Sequence, residues 1–383
     1  MTNKPFRRNL KIAEFSDVHV GNRRTPTTNT LEILTEAFPD NAKTGELDLI
    51  IIAGDFFDKA LPLATTTVGE IHIWITKFIR LCAKWDIKLR VLEGTPSHDR
   101  NQGILFDWLT QTADLKVDIK YVKGLQIEYI DDYDITVLYI QDELTSSCAR
   151  TQELVTNALI EKSLDRVDYT VMHGMFNHRV PKGVIADAHD SKFYQRITRK
   201  YVFCGHIHIN ARYGNLLEAG STDRLSFNEE EDKGHWRVYE STGEDKVFHV
   251  KHRKAWTYKR IEVLGLTYSE CVSKLRPILK GLRHGSYIQL FGERTDDGLV
   301  SIKLIEEEFP FINFKTKDAD VTAKMKVSLS EIKALTTDIV EITKANVVPE
   351  LSRYIDENSD IGSQQKDRII KLLGQLEGVS DGR

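Results

Sequence analysis

The chain has 383 residues, 41% of them apolar and 29% charged, with a formal net charge of −4. That length is too great for one ordinary core and predicts two or three domains, while no apolar run approaches the ~18–20 residues of a membrane span. The slight acidity does not announce a nucleic-acid binder, and the scattered Cys82, Cys148, Cys204 and Cys271 form no Cys-x-x-Cys pair, which fits free thiols in a reducing cytoplasm.

From residue 1 to about 245, strand-like and helix-like stretches alternate. Residues 10–15, apolar and strand-like, lead to Asp17-Val18-His19, and residues 47–53 lead to Gly54-Asp55. Val68, Ile71, Ile75, Phe78, Ile79 and Cys82 then recur at three- and four-residue spacing, one face of an amphipathic helix. Residues 87–92 lead to His98-Asp99, and strand signals are dense over 125–140. Leu154, Ala158, Leu159 and Leu164 mark a second helix before residues 169–172, which lead to His173-Gly174. Residues 201–204 lead to Gly205-His206-Ile207-His208, and 211–217 read as a further strand. The N-terminus has basic residues without a following apolar stretch, so no secretory signal is expected.

Around 241–255 the chain turns polar and basic, the expected boundary. Strands at 258–264, 287–291 and 311–314, with helices at 268–282 and 301–308, predict a small α/β module. Residues 315–330 read as a linker, and 332–345 and 366–376 as short helices richer in isoleucine and leucine than their solubility requires. No internal repeat occurs, and no G-x-x-x-x-G-K-[S/T] loop, so ATP hydrolysis by a P-loop is not expected of this chain.

In a layered α/β protein, residues just past the carboxyl ends of strands converge on one crevice. One Asp-x-His or His-x-His pair is a weak signal, but five strand-end clusters of carboxylate and imidazole in series are specific. Asp17, His19, Asp55, His173, His206 and His208 suit two divalent metals sharing a carboxylate, with His98 to spare.

The ordered set resembles the calcineurin-like metallophosphoesterase superfamily, whose blocks run D-x-H, G-D-x-x-D, G-N-H-D/E, H and G-H-x-H. Within it the chain is most similar to the SbcD-type double-strand-break repair nucleases. The first block continues as Asp17-Val18-His19-Val20-Gly21 and the second as Gly54-Asp55-Phe56-Phe57-Asp58, both in that style. After the last block, Gly220-Ser221, Arg224, Phe227 and Glu229 match a G-S-x-x-R-x-x-F-x-E segment. The third block departs: it reads Gly94-Thr95-Pro96-Ser97-His98-Asp99, without the asparagine, and is similar to that of phage-encoded members.

The resemblance implies an α/β fold. It would be a calcineurin-like two-sheet sandwich flanked by helices, plus a small α/β capping domain and a C-terminal helical segment. The expected divisions are a nuclease domain at 1–245, a DNA-capping domain at 255–320 and an ATPase-docking segment at 331–383. By position, Asp17, His19 and His208 hold one metal, His173 and His206 the other, and Asp55 bridges them. Ser97 is a neutral oxygen ligand in place of the asparagine; a backbone carbonyl, a water, or a Pro-Ser turn that merely places His98 are the alternatives. The second ion is therefore expected to bind more weakly. Asp58 is one acceptor that could orient a ligand histidine. His98 and Asp99 are the expected catalytic pair: His98 protonates the leaving 3′-oxygen or stabilises negative charge, and Asp99 holds its ring. Mn²⁺ suits these donors, and Mg²⁺ is the other hard ion they accept.

The implied function is a DNA nuclease, 3′→5′ exonuclease on duplex ends and endonuclease on single strands, in DNA end processing, repair and recombination. Arg23, Arg24 and Arg179 are the expected DNA contacts. The implied partners are DNA, an SbcC-type coiled-coil ABC ATPase and a second copy of the chain, paired through helices bearing Trp74 and residues 104–109. No membrane is expected; the location is the cytoplasm, the host's if the chain is phage-encoded. Two other readings compete: a phosphatase or phosphodiesterase acting on a small substrate, and a DNA-end scaffold with a weakened site.

Overall fold

Burial on both faces decides the architecture. In β1 (Lys11–Phe15), Ile12 and Ala13 point to opposite sides and both are fully buried, so the strand needs cover on two faces. A computed structural model, describing residues 9–62 and 65–318, shows what supplies it. After β1 come α1 (Thr27–Ala37), α2 (Ala42–Gly45) and β2 (Leu49–Ala53). Next follow α3 (Thr66–Trp85), β3 (Lys88–Leu92), α4 (Ile104–Thr112) and β4 (Ile119–Val122). These four strands are parallel neighbours.

The second sheet is built from β5 (Leu125–Ile130), β6 (Ile135–Ile140), α5 (Cys148–Glu161), β7 (Val167–His173), α6 (Ser191–Ile197), β8 (Thr198–Gly205), β9 (Ala211–Tyr213) and β10 (Leu216–Glu218). The chain then returns to the first sheet with β11 (Gly234–Tyr239) and β12 (Lys246–Lys251). The strand orders are β12-β11-β1-β2-β3-β4 and β5-β6-β7-β8-β10-β9. The first sheet thus runs past residue 245, the expected domain edge, because β12 pairs with β11 through Lys251.

Leu10, Ile12, Leu49 and Ile51 of the first sheet meet Val137, Tyr139, Val171 and Phe203 of the second. Burying each such aliphatic side chain is worth roughly 1.5–3 kcal/mol. Outside the first sheet, α1, α3 and α4 add Leu34, Ile75, Phe78, Ile79 and Phe106; outside the second, α5 and α6 add Val155, Leu159, Phe193 and Tyr194. The apolar face expected on α3 is the buried one, and its start is capped by Thr65, whose side chain accepts from the Val68 amide. On α5 the buried face centres on Val155 and Leu159, while Leu164 lies beyond the helix.

Of the apolar residues expected at a dimer contact, Trp74 and Phe106 are buried within the chain. Trp74 is buried, stacks on Phe78 at 4.8 Å and donates to Thr35 Oγ1 at 3.1 Å. Phe106 is fully buried, and only Trp108 of the 104–109 run is exposed.

A third sheet, ordered β13-β14-β15, is made by β13 (Tyr258–Glu262), β14 (Tyr287–Gly292) and β15 (Asn313–Asp318). It carries α7 (Tyr268–Leu279), α8 (Asp297–Val300) and α9 (Ile302–Glu308). Thr267 and Glu270 form a reciprocal capping box at the start of α7. β15 takes in residues 315–318, read from sequence as linker; an end strand faces water, so its Lys-Thr-Lys composition mimics one. The remaining linker and the helical segment at 331–383 lie outside the described residues.

The module rests on loops of the sandwich. Tyr287 donates its hydroxyl to Arg24 O at 3.2 Å, and Arg260 donates to Asn228 Oδ1 at 2.7 Å. Tyr258 stacks on Tyr287 at 4.6 Å, with Phe227 edge-on to Tyr258 at 5.2 Å. No helix among the described residues is long and apolar enough to cross a membrane.

Candidate metal centre

Strand ends from both sheets meet in one crevice. Asp17 and His19 follow β1, Asp55 follows β2, His173 ends β7, and His206 and His208 follow β8. Asp17, His19 and Asp55 adopt left-handed backbone, with φ of 49°, 51° and 50°. That conformation is costly for residues with a Cβ and tends to persist at functional sites. It is held by amides of the first block bonding to carbonyls of the second: Asp17 to Gly54, Val18 to Asp55 and Val20 to Phe56. Gly94 must be glycine, since a Cβ there would strike the Asp55 amide.

The donors fall into overlapping groups, two of which are built from the expected ligands alone. In the first, Asp17, His19 and His208 each offer an atom within 4.8 Å of the others. His19 Nε2 and His208 Nε2 face each other at 3.2 Å, and each lies within 3.9 Å of Asp17 Oδ1. In the second, His173 Nε2 is 3.3 Å from Asp55 Oδ2 and 3.9 Å from Asp17 Oδ1. Asp55 Oδ2 is also 3.9 Å from His19 Nε2, so this carboxylate touches both groups.

The donor set passes a test of fit for divalent cations. His173 is fully buried; its Nδ1 lies 2.7 Å from Ala53 O, which leaves Nε2 aimed at Asp55 without a hydrogen bond. Burial opposes charge on that ring, yet Asp55 and Asp17 raise its pKa well above the ordinary value. Burial likewise opposes ionisation of Asp55, but His173 and His19 hold it well below the usual carboxylate range. A field that draws a proton so strongly suits a cation equally. Burial lowers His19 to about 4, so its ring is neutral and can ligate near neutral pH. The first ion would be held by Asp17, His19, Asp55 and His208, and the second by Asp55, His173 and His206.

Outer contacts orient these rings. Glu229 Oε1 lies 3.1 Å from His208 Nδ1, while Glu229 Oε2 accepts from Ser221 Oγ at 2.9 Å and Lys233 Nζ at 2.8 Å. Asp58, the expected orienter, is 3.7 Å from His19 Nδ1 and instead accepts from Asn22 Nδ2 at 2.7 Å.

The third block corrects the sequence reading. Ser97 is exposed, and its carbonyl accepts from Arg100 Nε. Thr95, next to Gly94, reaches inward: its amide donates to Asp55 Oδ1 at 2.6 Å and its hydroxyl lies 3.1 Å from Asp55 Oδ2. His98 joins His19 and Asp55 in a further donor group, its ring edge-on to His19 at 4.9 Å, and its Nδ1 has no hydrogen bond. Asp99 does not hold that ring. Its carboxylate accepts the amides of Gly94 at 2.7 Å, Phe57 at 2.9 Å and Asp55 at 3.0 Å, tying the third block to the second.

Arg179 is hydrogen-bonded within the chain: Nε donates to Glu218 Oε2 at 2.7 Å and Nη2 to Ile209 O at 2.8 Å, bracing the loop after β8. Arg23 and Arg24 are exposed beside the first block.

Sequence reasoning missed Asp142, which follows β6 and groups with His173 and His206. The signal was present, since Gln141-Asp142 ends an apolar strand just as the other blocks do.

Residues 10–210 match the family model for calcineurin-like phosphoesterases, a span containing every donor named above. The chain belongs to that family. This phosphoesterase matches no curated protein at a significant level. Among solved structures it is similar to TT1561 of Thermus thermophilus, with 12% identity over 64% of this chain and 100% of that one, at a TM-score of 0.39. A second solved structure is 11% identical over 63% of this chain and 99% of that one, at a TM-score of 0.38. The calcineurin-like phosphoesterases are metal-dependent phosphoester hydrolases, and these overlapping donor groups are where this one would carry its metals.

Proposed function

We propose that this phosphoesterase is a two-metal DNA nuclease, acting 3′→5′ on duplex ends and internally on single strands, in DNA end processing, repair and recombination. The observation that carries the reading is the seat of the β13–β15 module. Tyr287 places it on the loop of Arg23 and Arg24, directly after Asp17 and His19. A polynucleotide crossing the donors meets exposed guanidinium groups for its phosphates and a capping wall beside them. A small phosphoester needs neither.

Two divalent cations, Mn²⁺ in this reading with Mg²⁺ as the alternative, supply Lewis-acid activation of water and neutralise charge at phosphorus. Glu229 and Ala53 O fix which nitrogens of His208 and His173 face the crevice. His98, beside His19, is placed to donate a proton to the departing 3′-oxygen. Asp99 is a positioning residue that fixes the loop carrying His98 against Asp55.

The deciding assay is Mn²⁺-dependent release of nucleotides from linear duplex DNA, set against hydrolysis of a nitrophenyl phosphodiester. Rapid ester hydrolysis with inert DNA rejects the nuclease in favour of a small-substrate phosphatase. DNA binding with neither hydrolysis leaves a scaffold. The proposal extends to a homodimer in the cytoplasm, working with an SbcC-type coiled-coil ABC ATPase that docks on 331–383. Co-purification of that ATPase with the full chain, and its loss on deletion from residue 332, tests the partnership.

A further inference from the structure

Asp142 stands at the carboxyl end of β6, a strand that carries none of the family's blocks. Its side chain is largely buried, and its two oxygens have different surroundings. Oδ1 accepts the Glu143 amide at 2.9 Å. Oδ2 turns into the crevice, 3.2 Å from His206 Nδ1 and 3.2 Å from Thr95 Oγ1. The same threonine hydroxyl is 3.1 Å from Asp55 Oδ2, so two carboxylates converge on a residue of the third block, the block that lacks its asparagine. Asp142, His173 and His206 each offer an atom within 4.8 Å of the other two. His173 is fully buried, and its Nε2 faces Asp55 Oδ2 at 3.3 Å.

An acceptor that only orients a histidine sits behind the ring, as Glu229 does for His208 and Ala53 O does for His173. Asp142 differs in that it also groups with a second histidine, His173, and meets Thr95 Oγ1, which touches Asp55. We infer that Asp142 is a ligand of the second metal ion, supplying from β6 the oxygen that the third block lacks. The inference rests on the two-metal reading above and concerns this chain's own donor set. It reverses the expectation of a weak second ion, because a carboxylate binds a hard divalent cation more strongly than a neutral amide oxygen.

The test reads metal, not activity. The full chain, stripped with chelator, is titrated with Mn²⁺ by calorimetry and by electron paramagnetic resonance, with circular dichroism to verify folding. The unaltered protein should take up two ions. Asp142→Ala should keep the first and lose the second, and Asp142→Asn should keep both with the second weakened by on the order of 10–100-fold. Adding Thr95→Asn to Asp142→Ala should bring the second ion back. If Asp142→Ala fails to fold, a crystal structure of the Mn²⁺-loaded unaltered protein decides, with anomalous density expected in bonding contact with Asp142. Two ions of unchanged affinity in Asp142→Ala, or density touching Asp55, His173 and His206 but not Asp142, overturns the assignment. Both ions bound as expected with DNA uncut rejects the nuclease reading and leaves the ligand standing.

Discussion

Glu229 Oε1 lies 3.1 Å from His208 Nδ1, and that contact turns the ring's other nitrogen toward Asp17. Glu229→Gln keeps the shape and removes the charge. The first ion should bind roughly 10-fold more weakly, the lower end of the range for outer partners of metal ligands. A Mn²⁺ titration in which the first site weakens and the second is unchanged is the expected result.

Acid should reveal the same carboxylate. Burial opposes its ionisation, but the hydrogen bond from His208 and the charge of Lys233 win, lowering Glu229 from 4.5 to about 2. A group with a depressed folded-state pKa contributes stability that is present above its unfolded value and lost as pH falls through its folded one. Between pH 4.5 and about 2 the thermal midpoint of the metal-free protein should therefore fall less in Glu229→Gln than in the unaltered chain. Parallel curves would show that the carboxylate is not coupled to folding.

His98→Ala should cut DNA roughly 10²–10⁴-fold more slowly while taking up metal normally, the usual span for a positioned acid or base. Loss of an ion from this variant would move His98 into the ligand set.

Asp99→Ala should behave differently, as a stability defect. It strands the buried amides of Gly94, Phe57 and Asp55, each costing roughly 1–3 kcal/mol when left unpaired. Urea unfolding should show a loss on the order of 3 kcal/mol or more, with weakened metal uptake because Asp55 is no longer pinned. Unchanged stability would contradict the hydrogen bonds described.

Two tryptophans on neighbouring helices should part company. Trp74→Ala empties a buried, stacked site and should cost about 3–5 kcal/mol. Trp108 is 57% exposed, so Trp108→Asp should leave the fold intact and, if α4 lies at the proposed dimer contact, shift light scattering from dimer to monomer. A monomeric unaltered protein at micromolar concentration rejects that contact.

Much of the fold was legible because each block follows an apolar strand, a link between local pattern and topology that holds for β1, β2, β3, β7 and β8 alike. The same rule reached Asp142, but Gln141-Asp142 lacks the histidine or glycine that made the other strand ends conspicuous. Ser97 came into question through adjacency to His98, whereas it is exposed and Thr95 is the residue that faces Asp55. Arg179 read as a free cation because its partner Glu218 lies on β10, far off in sequence, a tertiary fact that no local window contains. Residues 315–318 of β15 read as linker for the mirror-image reason: their largely water-facing side chains carry no packing signal.

The crevice also couples the two halves of the sandwich. Asp17, His19 and Asp55 belong to one sheet, and His173, His206 and His208 to the other, so each cation would bond to both at once. Metal then acts as a cross-tie at the open end of a layer otherwise joined by Ile12, Ile51, Tyr139 and Phe203. Ligands that bind only the folded state add RT ln(1 + [L]/Kd), about 2.7 kcal/mol at a hundredfold excess over Kd. Starved of metal, the protein would lose not just its chemistry but a clamp between its sheets, and its lifetime in the cell would follow the supply of the ion.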